Sequence, residues 1–251
     1  MPTCQCEVCK SADPRDNRLR CSALVGLDDG RQILVDCGPD FRMQALRAGI
    51  CQLDALLLTH NHFDHCYGID DLRPWAYFNP LPTYADQGMS NALLTRWDYI
   101  FVHKYPGVPK LDLHTLRPSQ GDTFLVGDTP VTPIRCLHGR LPMLGYRIGR
   151  LGYITDCTSI HERDLPKLQG IDTLIIDALR WEPHPTHYSV AQAMEIVARL
   201  RPRQTYFTHM SHDMGLHRDF EARLRQELGH VYDESLLSTI HLAYDGLVFE
   251  L

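Results

Sequence analysis

The chain has no long apolar run, no excess of positive charge and no linker. Nothing in its 251 residues approaches the roughly eighteen consecutive apolar residues of a membrane helix. The N-terminus has no basic segment leading into an apolar stretch, so no secretion signal is expected and a soluble, cytoplasmic protein is. Lys and Arg number 25 against 31 Asp and Glu, a net charge of −6. That balance leaves no general basic surface for a nucleic-acid polymer or an anionic membrane. Repeats, low-complexity tracts and Gly-, Ser- or Pro-rich linkers are also missing, so residues 1–251 are expected to form a single domain.

What the chain does have is nine cysteines and fourteen histidines. With no export signal, an odd number of cysteines makes a poor disulfide framework, whereas Cys and His crowded into short spacings suit metal ligation. The pattern between these residues alternates strands and helices. Two apolar stretches, ALVGL and QILVD, flank Asp28-Asp29-Gly30 as a hairpin would. Residues 41–48 look like a short helix, and the apolar run 53–58 reads as a buried strand ending in Thr-His. Further strands are expected over 151–155, 173–177 and 204–208. The best helical periodicity lies over 189–200, with Val190, Ala193, Met194, Ile196 and Val197 on one side. The expectation is a layered α/β architecture with its chemistry at the strand ends.

The densest motif is His60-Asn61-His62-Phe63-Asp64-His65. Two imidazoles at i and i+2 leaving a strand share a face and suit one borderline-soft ion, while Asp64 and His65 turn the other way toward a second. One loop supplies too few ligands for two ions. His138 in CLHG, Asp156 after YIT and His209 after YFT all stand at strand exits. Taken singly, each is as readily a cap or a hydrogen-bonding partner.

Their order along the chain resembles the metallo-β-lactamase superfamily, with a His-x-His-x-Asp-His loop followed by a His, a bridging Asp and a final His. The resemblance implies a four-layer αβ/βα sandwich. It implies His60, His62 and His138 on one metal, Asp64, His65 and His209 on the other, and Asp156 bridging them. It also implies Asp36, which ends LVD, as an aspartate that braces the metal loop; by residue type alone Asp36 is a turn aspartate. Relatives that share this chain's N-terminal cysteines carry a strand and a Gly-rich turn ahead of them. This chain begins three residues before Cys4, so that first edge strand is expected to be missing.

Cys4, Cys6 and Cys9 form C-x-C-x-x-C, three soft ligands that lack a fourth for tetrahedral zinc. By type, Cys21 and His212 are both candidates. The combination resembles the phosphodiesterases of the carbon–phosphorus lyase pathway (PhnP-like), and that resemblance implies His212, with residues 1–20 as a structural zinc-binding loop. The segment Thr186-His187-Tyr188-Ser189 resembles one in superfamily phosphodiesterases and tRNA 3′-end ribonucleases, whose histidine acts near the leaving group. An alkoxide leaves poorly unless protonated, so a histidine acid at 187 fits, although a histidine near a helix start also suits capping.

The expected function is therefore a metal-dependent phosphodiesterase acting on a small or cyclic phosphodiester, of the ribose cyclic phosphate or cyclic nucleotide type. A hydroxide bridging two divalent ions, Mn²⁺ or Zn²⁺, would be the nucleophile, with His187, Asp64 and Asp156 as catalytic residues. A thioester or other acyl hydrolase is one alternative, and a non-catalytic, metal-stabilised binding protein is a second. A tRNA nuclease lacks its basic, Gly-rich arm here. The aromatic-rich stretch 75–118 is expected to give helices and loops over the site, a homodimer face or a packed subdomain.

Overall fold

The computed structural model describes residues 1–117 and 123–250. Pro118, the end of the aromatic-rich stretch, lies outside the described residues. The chain divides into two compact units, one of residues 20–135 and 142–144, the other of residues 1–19, 136–141 and 145–251. Both are mixed α/β, the expected fold class. Among the described residues, no helix is long and apolar enough to cross a membrane.

The unit of residues 20–135 is built on a five-stranded sheet in the order β1-β2-β3-β4-β5. β1 (Ala23–Gly26) and β2 (Gln32–Val35) form the expected antiparallel hairpin. Gly30 takes a left-handed φ of 84° at its turn, a conformation that glycine adopts without strain. From β2 onward the strands run parallel, through β3 (Ala55–Leu57), β4 (Leu81–Asp86) and β5 (Leu111–Leu116). The helix α1 (Phe41–Ala48) has the expected bounds and ends on left-handed Gly49. Three further helices follow the metal-motif strand: α2 (Phe63–Cys66), α3 (Arg73–Ala76) and α4 (Gln87–Arg96), with the single turn α5 (Asp98–Phe101) after them. Leu34, Phe41, Leu56, Leu58, Ile69, Leu72, Met89, Leu93 and Trp97 pack into one buried core.

Strands β4 and β5 depart from the expectation of helices and loops over this stretch. Pro80 and Pro82 depress the strand signal of β4, yet its burial alternates along its length as a half-buried strand requires. The aromatics here are partly core, since Trp97 is buried and Trp75 packs edge-on against Phe41 at 5.6 Å.

The second sheet contains β6 (Phe124–Val126), β7 (Thr129–His138), β8 (Leu141–Ile148), β9 (Leu151–Ile154), β10 (Ser159–Ile160), β11 (Thr173–Asp177), β12 (Gln204–Thr208) and β13 (Ile240–Leu242). Its order is β10-β7-β8-β9-β11-β12-β13, with β6 paired to β7. The strands β9, β11, β12 and β13 run parallel to one another, β9 being antiparallel to β8 on its other side, and they belong to the unit that carries the C-terminal half. Helix α6 (Val190–Leu200) follows β11. Ser189 and Gln192 close a capping box at its start, and its apolar face is buried through Val190, Ala193, Met194, Ile196, Val197 and Leu200. Burying each of the larger of these side chains contributes about 1.5–3 kcal/mol before chain entropy is counted. The chain closes with α7 (Phe220–Leu228) and α8 (Glu234–Leu237).

Candidate metal centre

Parallel pairing aligns strand exits, and the candidate ligands stand at those exits. In the unit of residues 20–135, Val35 pairs with Leu57, so Asp36 follows one strand beside the segment that leaves the other. Asp36 is fully buried and takes a left-handed φ of 60°. Its carboxylate accepts from the Thr59 amide (2.9 Å), from Thr59 Oγ1 (2.9 Å) and from His65 Nδ1 (2.8 Å). Thr59 Oγ1 is committed as a donor to Asp36, so it accepts from His60 Nδ1 at 3.0 Å. Both imidazoles thus have Nδ1 tied to oxygen and present Nε2, the nitrogen that a metal would take. The rings of His60 and His62 are 4.6 Å apart, those of His60 and His65 4.3 Å, and His65 Nε2 lies 3.6 Å from Asp64 Oδ2.

The loop is held by close backbone approach as well. A Cβ on Gly38 would stand 2.1 Å from the Asp64 carbonyl oxygen, and one on Gly68 would stand 2.1 Å from the Gly38 carbonyl oxygen. Any side chain at either position would push the loop out of place.

In the other unit, β9 pairs with β11 through Ile154 and Ile176, and β11 with β12 through Asp177 and Thr208. Asp156, Asp177 and His209 therefore emerge along one edge of the sheet, and His138 ends β7. Asp156 and His209 take left-handed φ values of 54° and 57°. Non-glycine residues held there are strained, and such strain collects where function fixes a side chain. Asp156 divides its oxygens, with Oδ2 3.8 Å from His138 Nε2 and Oδ1 3.3 Å from His209 Nε2. His138 Nδ1 donates to the Thr186 carbonyl at 2.6 Å, so His138 too presents Nε2.

His187 is buried beside them. Its Nδ1 lies 2.9 Å from Asp156 Oδ1 and 3.1 Å from Asp177 Oδ2, and its ring stacks on His209 at 5.1 Å. Burial works against its protonated form, but the two carboxylates outweigh it and push the His187 pKa up to about 9. The segment is fixed by the Tyr188 amide, which donates to the Cys157 carbonyl (2.7 Å), and by pairing of Ser189 with Arg180. Ser189 performs the capping, leaving His187 free of that task. Asp177 was not singled out from the sequence. Its Oδ2 accepts from both His187 Nδ1 and the Cys157 amide (2.8 Å), and burial raises its pKa. The signal was present, because Asp177 ends TLIID as Asp36 ends LVD.

A separate cluster unites Cys4, Cys6, Cys9 and His212, whose donor atoms lie within 4.8 Å of one another. Cys4 Sγ and Cys6 Sγ are each 3.4 Å from His212 Nδ1. The Cys9 amide donates to Cys6 Sγ at 3.4 Å, and with His212 it draws the Cys6 thiol down to about 6. A thiol that ionises so readily suits a soft metal ion.

The beta-lactamase superfamily domain model matches residues 31–210, a stretch holding the His-rich loop, Asp156 and His209. The chain belongs to the beta-lactamase superfamily. Within that superfamily it is PhnP-like. A crystal structure described as a new diphosphatase from the PhnP family has 35% sequence identity and a TM-score of 0.83, covering 98% of this chain and 89% of that one. A protein of Porphyromonas gingivalis named octanoyltransferase is 41% identical over 246 residues, 97% of this chain but 47% of its own length. The chain thus spans about half of that relative. A ribonuclease Z of Bacillus licheniformis is 32% identical over 134 residues, covering 50% of this chain and 41% of that protein. Membership in this superfamily and a site rich in His and Asp both support binding of a divalent metal ion.

Proposed function

We propose that the protein is a phosphodiesterase acting on a small or cyclic phosphodiester. In this reading His60, His62, Asp64 and His65 act together with His138, Asp156 and His209 to hold two divalent ions, Mn²⁺ or Zn²⁺. The donor chemistry fits the ions: His60, His65 and His138 have Nδ1 occupied by oxygen acceptors, the arrangement that orients metal-binding imidazoles. The observation that carries the reading is Asp156, whose two oxygens face two different imidazoles, so that this one carboxylate could serve both ions. Cys4, Cys6, Cys9 and His212 supply four close donors of the types that hold a structural zinc.

Bound at these residues, divalent ions would supply an activated water and offset the charge of the phosphoryl oxygens. The chain's own groups do the rest. Asp36 and Thr59 lock the imidazoles of the loop, and Asp156 and Asp177 hold His187 by its Nδ1. His187 in its protonated form then carries a second proton on Nε2, which it gives to the leaving oxygen of the diester. Asp177 orients that imidazole and stabilises its charge.

An acyl hydrolase of the same fold is the second reading, favoured by the relative named octanoyltransferase. One panel separates the two. Metal-reconstituted protein is offered bis-p-nitrophenyl phosphate, a cyclic nucleotide, an octanoyl thioester and a lactam. Turnover of the phosphodiesters above the others is expected, and turnover of the thioester alone would replace this reading with the acyl one.

A further inference from the structure

The metal-motif loop carries an aromatic residue that the metal chemistry does not use. Phe63 stands between His62 and Asp64, and the residue is 53% exposed. One helical turn on, Tyr67 shares its face, 44% exposed, with ring centroids 4.5 Å apart and planes tilted by 39°. Tyr67 is backed in turn by Trp97, edge-on at 4.9 Å and itself buried. A single exposed aromatic needs no explanation, but a pair pre-arranged on a buried tryptophan presents a rigid apolar ledge. The loop beneath it is equally fixed, since Cys66 Sγ donates to the His62 carbonyl (3.0 Å) and the Arg96 guanidinium donates to the Asn61 carbonyl. Arg96 thereby brings a cation to the loop that carries Phe63.

We propose that Phe63 and Tyr67 form a stacking platform for the nucleobase of a nucleotide phosphodiester. The inference rests on the phosphodiesterase reading and narrows its substrate class. Consecutive Cα atoms are about 3.8 Å apart, so the Phe63 ring is rooted one residue from candidate ligands on either side. A diester whose phosphorus is held by those ligands brings its substituents to this ledge. A flat, neutral π-face is what two exposed rings recognise, and any base offers one; the adjacent guanidinium suits a nucleotide's remaining negative charge. A flexible acyl chain would gain apolar contact there without the stacking geometry.

The test compares adenosine 2′,3′-cyclic phosphate with the base-free methyl riboside 2,3-cyclic phosphate on metal-loaded protein. The wild type is expected to favour the nucleotide in kcat/KM, and Phe63→Ala to reduce that ratio by about 5- to 100-fold, the range of one base–aromatic stack. Phe63→Trp should restore the ratio, and metal content by elemental analysis should be equal in all three proteins. An unchanged ratio, or equal losses on both substrates, overturns the platform. A binding measurement needs no turnover and so separates this inference from its parent. Adenosine monophosphate should quench Trp97 fluorescence more strongly than ribose 5-phosphate, by a difference that Phe63→Ala removes. If the wild type hydrolyses neither diester, the phosphodiesterase reading falls, and the platform stands or falls on that binding difference. Tighter binding of an octanoyl compound than of adenosine monophosphate overturns the nucleobase assignment in favour of an acyl chain.

Discussion

The two sets of candidate ligands are assembled in different ways. His60, His62, Asp64 and His65 come from six consecutive residues, oriented by one buried aspartate and two close glycine contacts. His138, Asp156 and His209 come from three separate strand ends spread from residue 138 to residue 209, and parallel pairing is what aligns the last two. The first set has its geometry written into short-range chain order. The second depends on sheet register, and a slip of one residue would turn each side chain to the other face. The dispersed set is also where the strain sits, with Asp156 and His209 both left-handed, and where the proposed acid His187 and the proposed bridge Asp156 meet within hydrogen-bonding distance.

Removing the centre of the dispersed set should have the largest effect. Asp156→Ala is expected to abolish activity and metal occupancy together, as read by turnover and elemental analysis on the same sample, because both oxygens of the proposed bridge go at once. If full metal content survived the substitution, Asp156 would not be the bridge. His187→Ala breaks the same region differently. It should leave the metals in place and lower kcat by about 10²–10⁴-fold on a diester with an alkyl leaving group. With p-nitrophenolate, which hardly needs a proton, the loss should be much smaller. The proposed acid would work in its protonated form, so activity on the alkyl diester should decline as pH rises toward about 9, and His187→Ala should lack that decline. Equal losses on both substrates would make His187 a binding group.

The contiguous set should resist more. Asp36→Asn keeps the shape of the brace but removes the carboxylate that accepts from Thr59 and His65 at once. Metal affinity is expected to fall by about 10- to 100-fold, the range for groups that orient ligands without touching the ion. A metal titration reads it, and unchanged affinity would show that the loop orients itself without Asp36.

This contrast also explains what could be read from the sequence. The hairpin, α1, β11 and β12 were legible because local pattern and tertiary burial agree at those elements. The His-rich loop stood out as a candidate metal motif by spacing alone. His138, Asp156 and His209 had no such local mark and stood out only through their order along the chain. Strands β4 and β5 were missed because prolines and mixed polarity obscure a pattern that parallel pairing nevertheless enforces. Asp177 was missed because one carboxylate at a strand end has no signature until the strand next to it is known. Phe63 passed unread as a spacer within the motif.

The smallest effect on chemistry should come from the Cys/His cluster, which touches neither the acid nor the proposed bridge. Cys6→Ser is expected to remove one tightly held metal per chain and to lower Tm while changing kcat only slightly. In metal-free protein the pH dependence has a definite sign. Folding lowers the Cys6 pKa from 9.0 to about 6, through the Cys9 amide and then His212. A group whose pKa is depressed on folding contributes stability in its ionised form, present above the unfolded value and lost as pH falls through the folded one. The Tm difference between wild type and Cys6→Ser should therefore widen as pH rises from 6 toward 9 in a series of thermal melts. A difference that narrows over this range would mean that the thiolate is not what the cluster stabilises. A large loss of kcat with the active-site metals retained would mean instead that the cluster acts on the chemistry, and that stability and catalysis are less separable in this protein than its two ligand sets suggest.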